Sequence, residues 1–166
     1  MGKITKASDD VTNAIQNVVD KLGLTLYARF FALNITGQKQ LVKVSKASAT
    51  TEYFSNTSDS IIVYVNEEVY DMLEPKQREM LIANALYGVD YDDEKDKLNV
   101  NQPEMGISLS GYQQYGSDLV DAAEAVQLAL QQLKERKEEE KNAKKKKKSD
   151  DWSWIVGTVC QGHAWG

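Results

Sequence analysis

Few side chains in this sequence can carry chemistry, and the rarest stand close to its end. The single histidine, His163, lies three residues from the single cysteine, Cys160. Imidazole and thiolate both ligate zinc, but a structural site needs four ligands, so this pair makes no metal centre unless a partner adds more. One cysteine forms no intramolecular disulfide and offers no Cys-x-x-Cys pair, in keeping with a reducing compartment. The run DYDDEKD (90–96) gathers five carboxylates. It lacks the glycine and the alternate-residue ligand register of a calcium loop, and is expected to be a solvated helix end or turn.

Two further stretches point to binding rather than catalysis. Lys141, Lys144, Lys145, Lys146, Lys147 and Lys148 put six cations within eight residues. They either stay solvated or attract nucleic acid or an acidic partner. Trp152, Trp154 and Trp165 are all the tryptophans of the chain, and Ile155 and Val156 stand beside the first two. Tryptophan buries a large area in partner pockets, and a free apolar peptide is a liability. The segment therefore docks on another protein, folds back on its own domain, or is an appendage to the natural sequence.

The element that must position everything else is the stretch 75–89, PKQREMLIANALYGV. Pro75 occupies a favoured first helical position, and Leu81, Ile82, Ala85, Leu86 and Val89 recur at helical spacing, predicting a core helix. Before it, SIIVYV (60–65) is a β-branched and aromatic run of strand length, and 66–73 reads as a short helical connection. Earlier still, Ser8 is an N-cap candidate for a helix bearing Val11, Ala14, Ile15, Val18, Val19 and Leu22, ended by Gly23. The segments 24–35 and 40–45 are rich in strand formers and flank the turn candidate 36–39, which predicts a hairpin. The Ser/Thr/Ala-rich span 46–59 reads as a surface loop or an irregular edge strand around 52–54. After the core helix, 98–116 reads as a long loop with a short strand near 107–109. Asp118 is an N-cap candidate for a helix carrying Leu119, Ala122, Ala123, Val126, Leu130 and Leu133 on one face. From Lys134 the sequence KERKEEEKNAKKKKK has no apolar stripe and reads as a helical extension that frays or projects into solvent.

The segment IIVYVNEEVYDMLEPKQREMLIANALYGVDYDDEKDKL, with the later Tyr115-Gly116 pair, resembles a family of phage metallopeptidases of the zincin type. The likeness spans roughly residues 3 to 135 in order of elements. In that family the core helix carries H-E-x-x-H, whose histidines ligate zinc while the glutamate activates a water. Here those positions are Asn84, Ala85 and Gly88, so all three chemical groups are missing. Asn84 with nearby carboxylates could form at most a weak oxygen site for calcium or magnesium. The family would place a third ligand after the helix. Asp92, Asp93, Glu94 and Glu104 are the nearby acids, and none is assigned that role. The resemblance implies a phage origin and a scaffold without its catalytic groups.

At 166 residues the chain suffices for one domain and an extension. Residues 1–133 carry 11 Lys and Arg against 19 Asp and Glu, so the body should repel nucleic acid and only the tail could attract it. No apolar run reaches membrane-span length, and the start lacks the apolar core of a signal peptide, so the host cytoplasm or the virion is the expected location. The expected architecture is α+β: an N-terminal helix, a sheet of about three strands, the core helix 75–89 and a long C-terminal helix. Residues 1–133 form the expected domain, 134–150 the charged extension and 151–166 the tryptophan-rich segment. No catalytic residue, metal or cofactor is expected. The expected function is non-catalytic binding of another protein, phage or host. The alternatives are a residual or metal-independent hydrolase, or a nucleic-acid-associated protein acting through the lysine run.

Overall fold

The computed structural model describes residues 3–101 and 106–159, with 146–159 described by backbone alone. The architecture is α+β, with a mixed four-stranded sheet and a separate two-stranded one. After the short strand β1 (Ile4–Lys6) comes helix α1 (Asp9–Lys21). Ser8 caps α1, its hydroxyl accepting from the Val11 amide at 3.4 Å, and Val11, Ile15, Val18 and Val19 are buried along one stripe. Gly23 leaves the helix with φ +70°, the left-handed conformation glycine adopts without strain.

The strands that follow are β2 (Arg29–Ile35), β3 (Val42–Lys46) and β4 (Ser60–Val65). The expected β2–β3 hairpin does not form. The order is β1-β2-β4-β3, with β4 inserted between its two predecessors, parallel to β2 and antiparallel to β3. The reason lies in the side chains. SIIVYV carries no charge and is mostly apolar, which suits the middle of a sheet, whereas β3 carries Lys43 and Lys46 and suits an edge. The sheet thus has four strands rather than about three, β1 having escaped the sequence reading because three residues carry no period. Residues 24–26 form a 3₁₀ turn instead of the start of β2.

The span 46–59 is not a loop or edge strand but contains helix α2 (Ala49–Ser55). Ser48 caps it, accepting from the Thr51 amide at 3.2 Å, and Asn56 closes it at φ 50°. Caps at both ends outweigh a composition that favours loops. Then come α3 (Glu67–Tyr70) and the core helix α4 (Pro75–Leu86). Pro75 begins α4, and the Gln77 side-chain oxygen accepts from the Glu74 amide at 3.0 Å, half of a capping box. Met80, Leu81, Ile82, Ala83, Asn84 and Leu86 are all buried, so α4 is enclosed rather than covered on one face.

The helix ends at Leu86, earlier than position 89, because Val89 starts a hairpin of β5 (Val89–Asp92) and β6 (Lys97–Val100). Most of the acidic run is therefore strand and hairpin turn. Asp92 accepts from the Lys95 amide at 3.1 Å and from its ammonium at 2.9 Å, and Asp96 takes φ 49° to close the turn. The strand expected near 107–109 is replaced by helix α5 (Leu109–Tyr115), capped by Ser108, whose hydroxyl accepts from the Gly111 amide at 3.0 Å. Helix α6 runs Ser117–Val159 and buries Leu119, Ala122, Val126 and Ala129. Asp118 sits in its first turn, paired with Lys76 at 2.6 Å.

The chain divides into two units, residues 1–130 and 131–166. In the second unit the backbone stays helical through the lysine run to Val159 and does not fray after Lys134. Among the described residues no helix is long and apolar enough to cross a membrane.

Candidate functional site

Helix α4 carries Asn84 and Ala85 and is followed by Gly88, the three positions that the sequence resemblance singles out, and each has a different surrounding. Asn84 is 4 % exposed. Its side-chain nitrogen donates to the Gly106 carbonyl at 2.8 Å, while its oxygen accepts from the Ser108 amide at 2.7 Å and from the Ser108 hydroxyl at 2.9 Å. An amide oxygen with two acceptor sites is then saturated. Since Ser108 in turn caps α5, Asn84 links the core helix to the start of the next one. Gly111 completes the fit, because a Cβ there would meet the Asn84 oxygen at 2.6 Å.

Gly88 makes the second contact. Its carbonyl accepts from the Asn101 amide at 2.7 Å, and a Cβ on Gly88 would lie 1.8 Å from the Asn101 carbonyl oxygen. No side chain fits without moving the backbone that follows β6. A histidine at this position, as in H-E-x-x-H, would require that displacement.

Ala85, between these two positions, lines a half-open cleft of about 140 Å³ together with Leu41, Val42, Leu81 and Val126. Lys39, Gln40 and Gln127 form its polar rim. Lys39 is the one titratable side chain among the described residues that line it, and those residues include no acid and base pair of the kind proton-transfer chemistry uses.

Of the acids nominated after α4, Asp92 is engaged by Lys95. The Lys95 ammonium holds the Asp92 carboxyl below its ordinary range. Tyr91 stacks on Tyr27 with ring centroids 5.4 Å apart and donates to Asp96, and that bond pushes its hydroxyl up to about 12. Asp93 and Glu94 are exposed in the hairpin turn, and Glu104 lies outside the described residues. Among the described residues no three His, Cys, Asp or Glu side chains converge as metal ligands would.

Of the binding candidates, Lys144 and Lys145 are exposed on α6. Lys146, Lys147, Lys148, Trp152, Trp154, Ile155 and Val156 occupy helical backbone positions, and their side chains lie outside the described residues, as do Trp165, Cys160 and His163 altogether. The sequence reading missed Ser108 and the cleft residues 39–42. A serine three residues before Gly111 was an available cap signal, whereas nothing local marks the cleft. Compared with known proteins, the chain matches no family model, no curated protein and no solved structure.

Proposed function

We propose that this protein is a non-catalytic binding protein built on a scaffold similar to the phage metallopeptidases, acting as an accessory virion component or as an inhibitor of a host protein. The observation that carries the reading is the saturation of Asn84. The side chain that stands for the first zinc ligand spends one N–H donor on Gly106 and both acceptor sites of its oxygen on Ser108, 22 and 24 residues away. A residue so committed braces the fold and has no lone pair to offer a metal. The tight approach at Gly88 supports the same reading, since a ligand side chain there has no room. For the binding role, the tail provides the anchor: positions 152, 155, 156 and 159 follow the three-and-four spacing of a helix face and carry Trp, Ile, Val and Val.

The test is capture of partners from infected cells on immobilised full-length protein and on a Trp152→Ala/Trp154→Ala variant, read by quantitative mass spectrometry. One protein held at a fixed ratio by the wild type and lost from the variant, with unchanged thermal unfolding, is the expected result. Stoichiometric metal in protein purified without chelator, or chelator-sensitive peptide hydrolysis, would overturn it in favour of a hydrolase.

A further inference from the structure

The two faces of the four-stranded sheet are unequal. Toward one, Ile61, Val63 and Val65 of β4 are completely buried. Toward the other, the alternate residues Ile62 and Tyr64 are only half-buried, as are Leu33 and Ile35 of β2, while Phe31 is 41 % and Ile4 of β1 is 51 % exposed. Sheet side chains alternate strictly between faces, so these six form one apolar surface that no described element covers to the depth of the opposite core.

The register places charges around this surface in a definite pattern. Lys6 pairs with Leu33, Leu33 with Tyr64, and Tyr64 with Lys43, giving one row across all four strands in which two lysines flank an apolar pair. The next row runs Phe31, Ile62, Ser45, and Arg29 lies beyond it on the same face. Every charged residue of the four strands is a cation, although the whole chain has a net charge of −5. Lys43 and Arg29 pair with no acid among the described residues, and Lys6 reaches Asp9 only at 3.8 Å with both side chains largely exposed.

We propose that this bare sheet face is a docking surface for an amphipathic helix of a partner protein, with an aliphatic stripe seated on Phe31, Leu33, Ile35, Ile62 and Tyr64 and acidic residues on both flanks meeting Lys6 and Lys43. The dimensions agree. Three strand spacings separate Lys6 from Lys43, about 14 Å, and a helix with its side chains is about 10–12 Å across. The apolar column from Phe31 to Ile35 is about 13 Å long, between two and three turns of helix. Cations on both margins disfavour a second copy of the same face, since a two-fold pairing sets like charges against like. A flat face whose central side chains are half-buried also offers little to insert into a lipid surface. The surface deepens the binding-protein reading, on which it rests, without using the tail.

The experiment selects a displayed library of random peptides, each about three helical turns long, on the full-length protein, with counter-selection on a Phe31→Asp variant shown by circular dichroism to be folded. Enriched peptides should carry Leu, Ile or Phe at three- and four-residue spacing with Asp or Glu on both sides. A synthetic enriched peptide should shift the resonances of Phe31, Leu33 and Ile62. It should bind a Lys6→Glu/Lys43→Glu variant about tenfold more weakly at low salt, where margin charges act most strongly. It should bind the Trp152→Ala/Trp154→Ala variant as tightly as the wild type, which keeps this outcome separate from that of the tail. The proposal is overturned by enrichment of neutral or basic peptides, by equal binding to the double-lysine variant, or by no enrichment dependent on Phe31. It is overturned equally by a dimer that Phe31→Asp breaks, or by Phe31-dependent binding to phosphatidylserine vesicles in place of peptide.

Discussion

Replacing Asn84 with alanine tests most directly whether this buried side chain is a brace. The substitution removes three hydrogen bonds of 2.7 to 2.9 Å and strips the Gly106 carbonyl and the Ser108 amide of their partner. Each net bond is worth about 1 kcal/mol, and a buried backbone group left unpaired costs about 1–3 kcal/mol, so a loss near 3 kcal/mol is expected. For a chain of this size that lowers the melting midpoint by about 6–12 °C. Ser108→Ala keeps its own backbone amide on Asn84 and loses only the hydroxyl, which caps α5 and donates to the Asn84 oxygen, so about 1 kcal/mol is expected. The two changes share that hydroxyl bond, and the double variant should fall short of additivity by several tenths of a kcal/mol or more. Urea unfolding followed by circular dichroism measures all three. An Asn84→Ala protein within about 0.5 kcal/mol of wild type would refute the brace and return this residue to the list of functional candidates.

Two further outcomes are expected. Gly88→Ala should destabilise by about 1–3 kcal/mol and strip hydrogen-exchange protection from the Asn101 amide, because its Cβ overlaps the Asn101 carbonyl; full protection would mean that the backbone has room to yield. The protein should also lose stability at alkaline pH. Burial first, and the Asp10 carboxylate second, raise the Tyr70 hydroxyl above 10, and burial raises that of Tyr115 as well. A folded pKa above the unfolded one contributes stability that is complete below pH 10 and is lost as pH rises through the folded value. Thermal unfolding of Tyr70→Phe should therefore decline less above pH 10 than that of the wild type, and parallel curves would exclude Tyr70 as a source.

Much of the fold was legible because its signals are local. Ser8 and the stripe Val11, Ile15, Val18 and Val19 define α1, while Pro75 and the apolar recurrence after it define α4. Leu119, Ala122 and Val126 mark the buried face of α6, and SIIVYV could scarcely be anything but a strand. Each of these depends on residues within one or two turns of each other. The α+β class followed from them. Short elements were lost where composition competes with capping: α2 is built from Thr, Glu, Tyr, Phe and Ser and is held by Ser48 and Asn56, which a loop would also contain.

Strand order, the contacts of the motif positions and the two faces of the sheet were decided by pairing between distant segments. That β4 enters between β2 and β3 depends on which strand best fills the centre, a comparison among segments that no single window contains. That Asn84, Ala85 and Gly88 offer neither imidazole nor carboxylate could be read from the letters alone. What those residues do instead could not, because Gly106, Ser108 and Asn101 become their neighbours only once the chain has folded back. The same holds for the row Lys6, Leu33, Tyr64, Lys43, whose members lie up to 58 positions apart in sequence and meet only through the register of four strands. Local spacing sets the elements, and burial together with hydrogen-bond satisfaction across long separations sets which side chains share a surface.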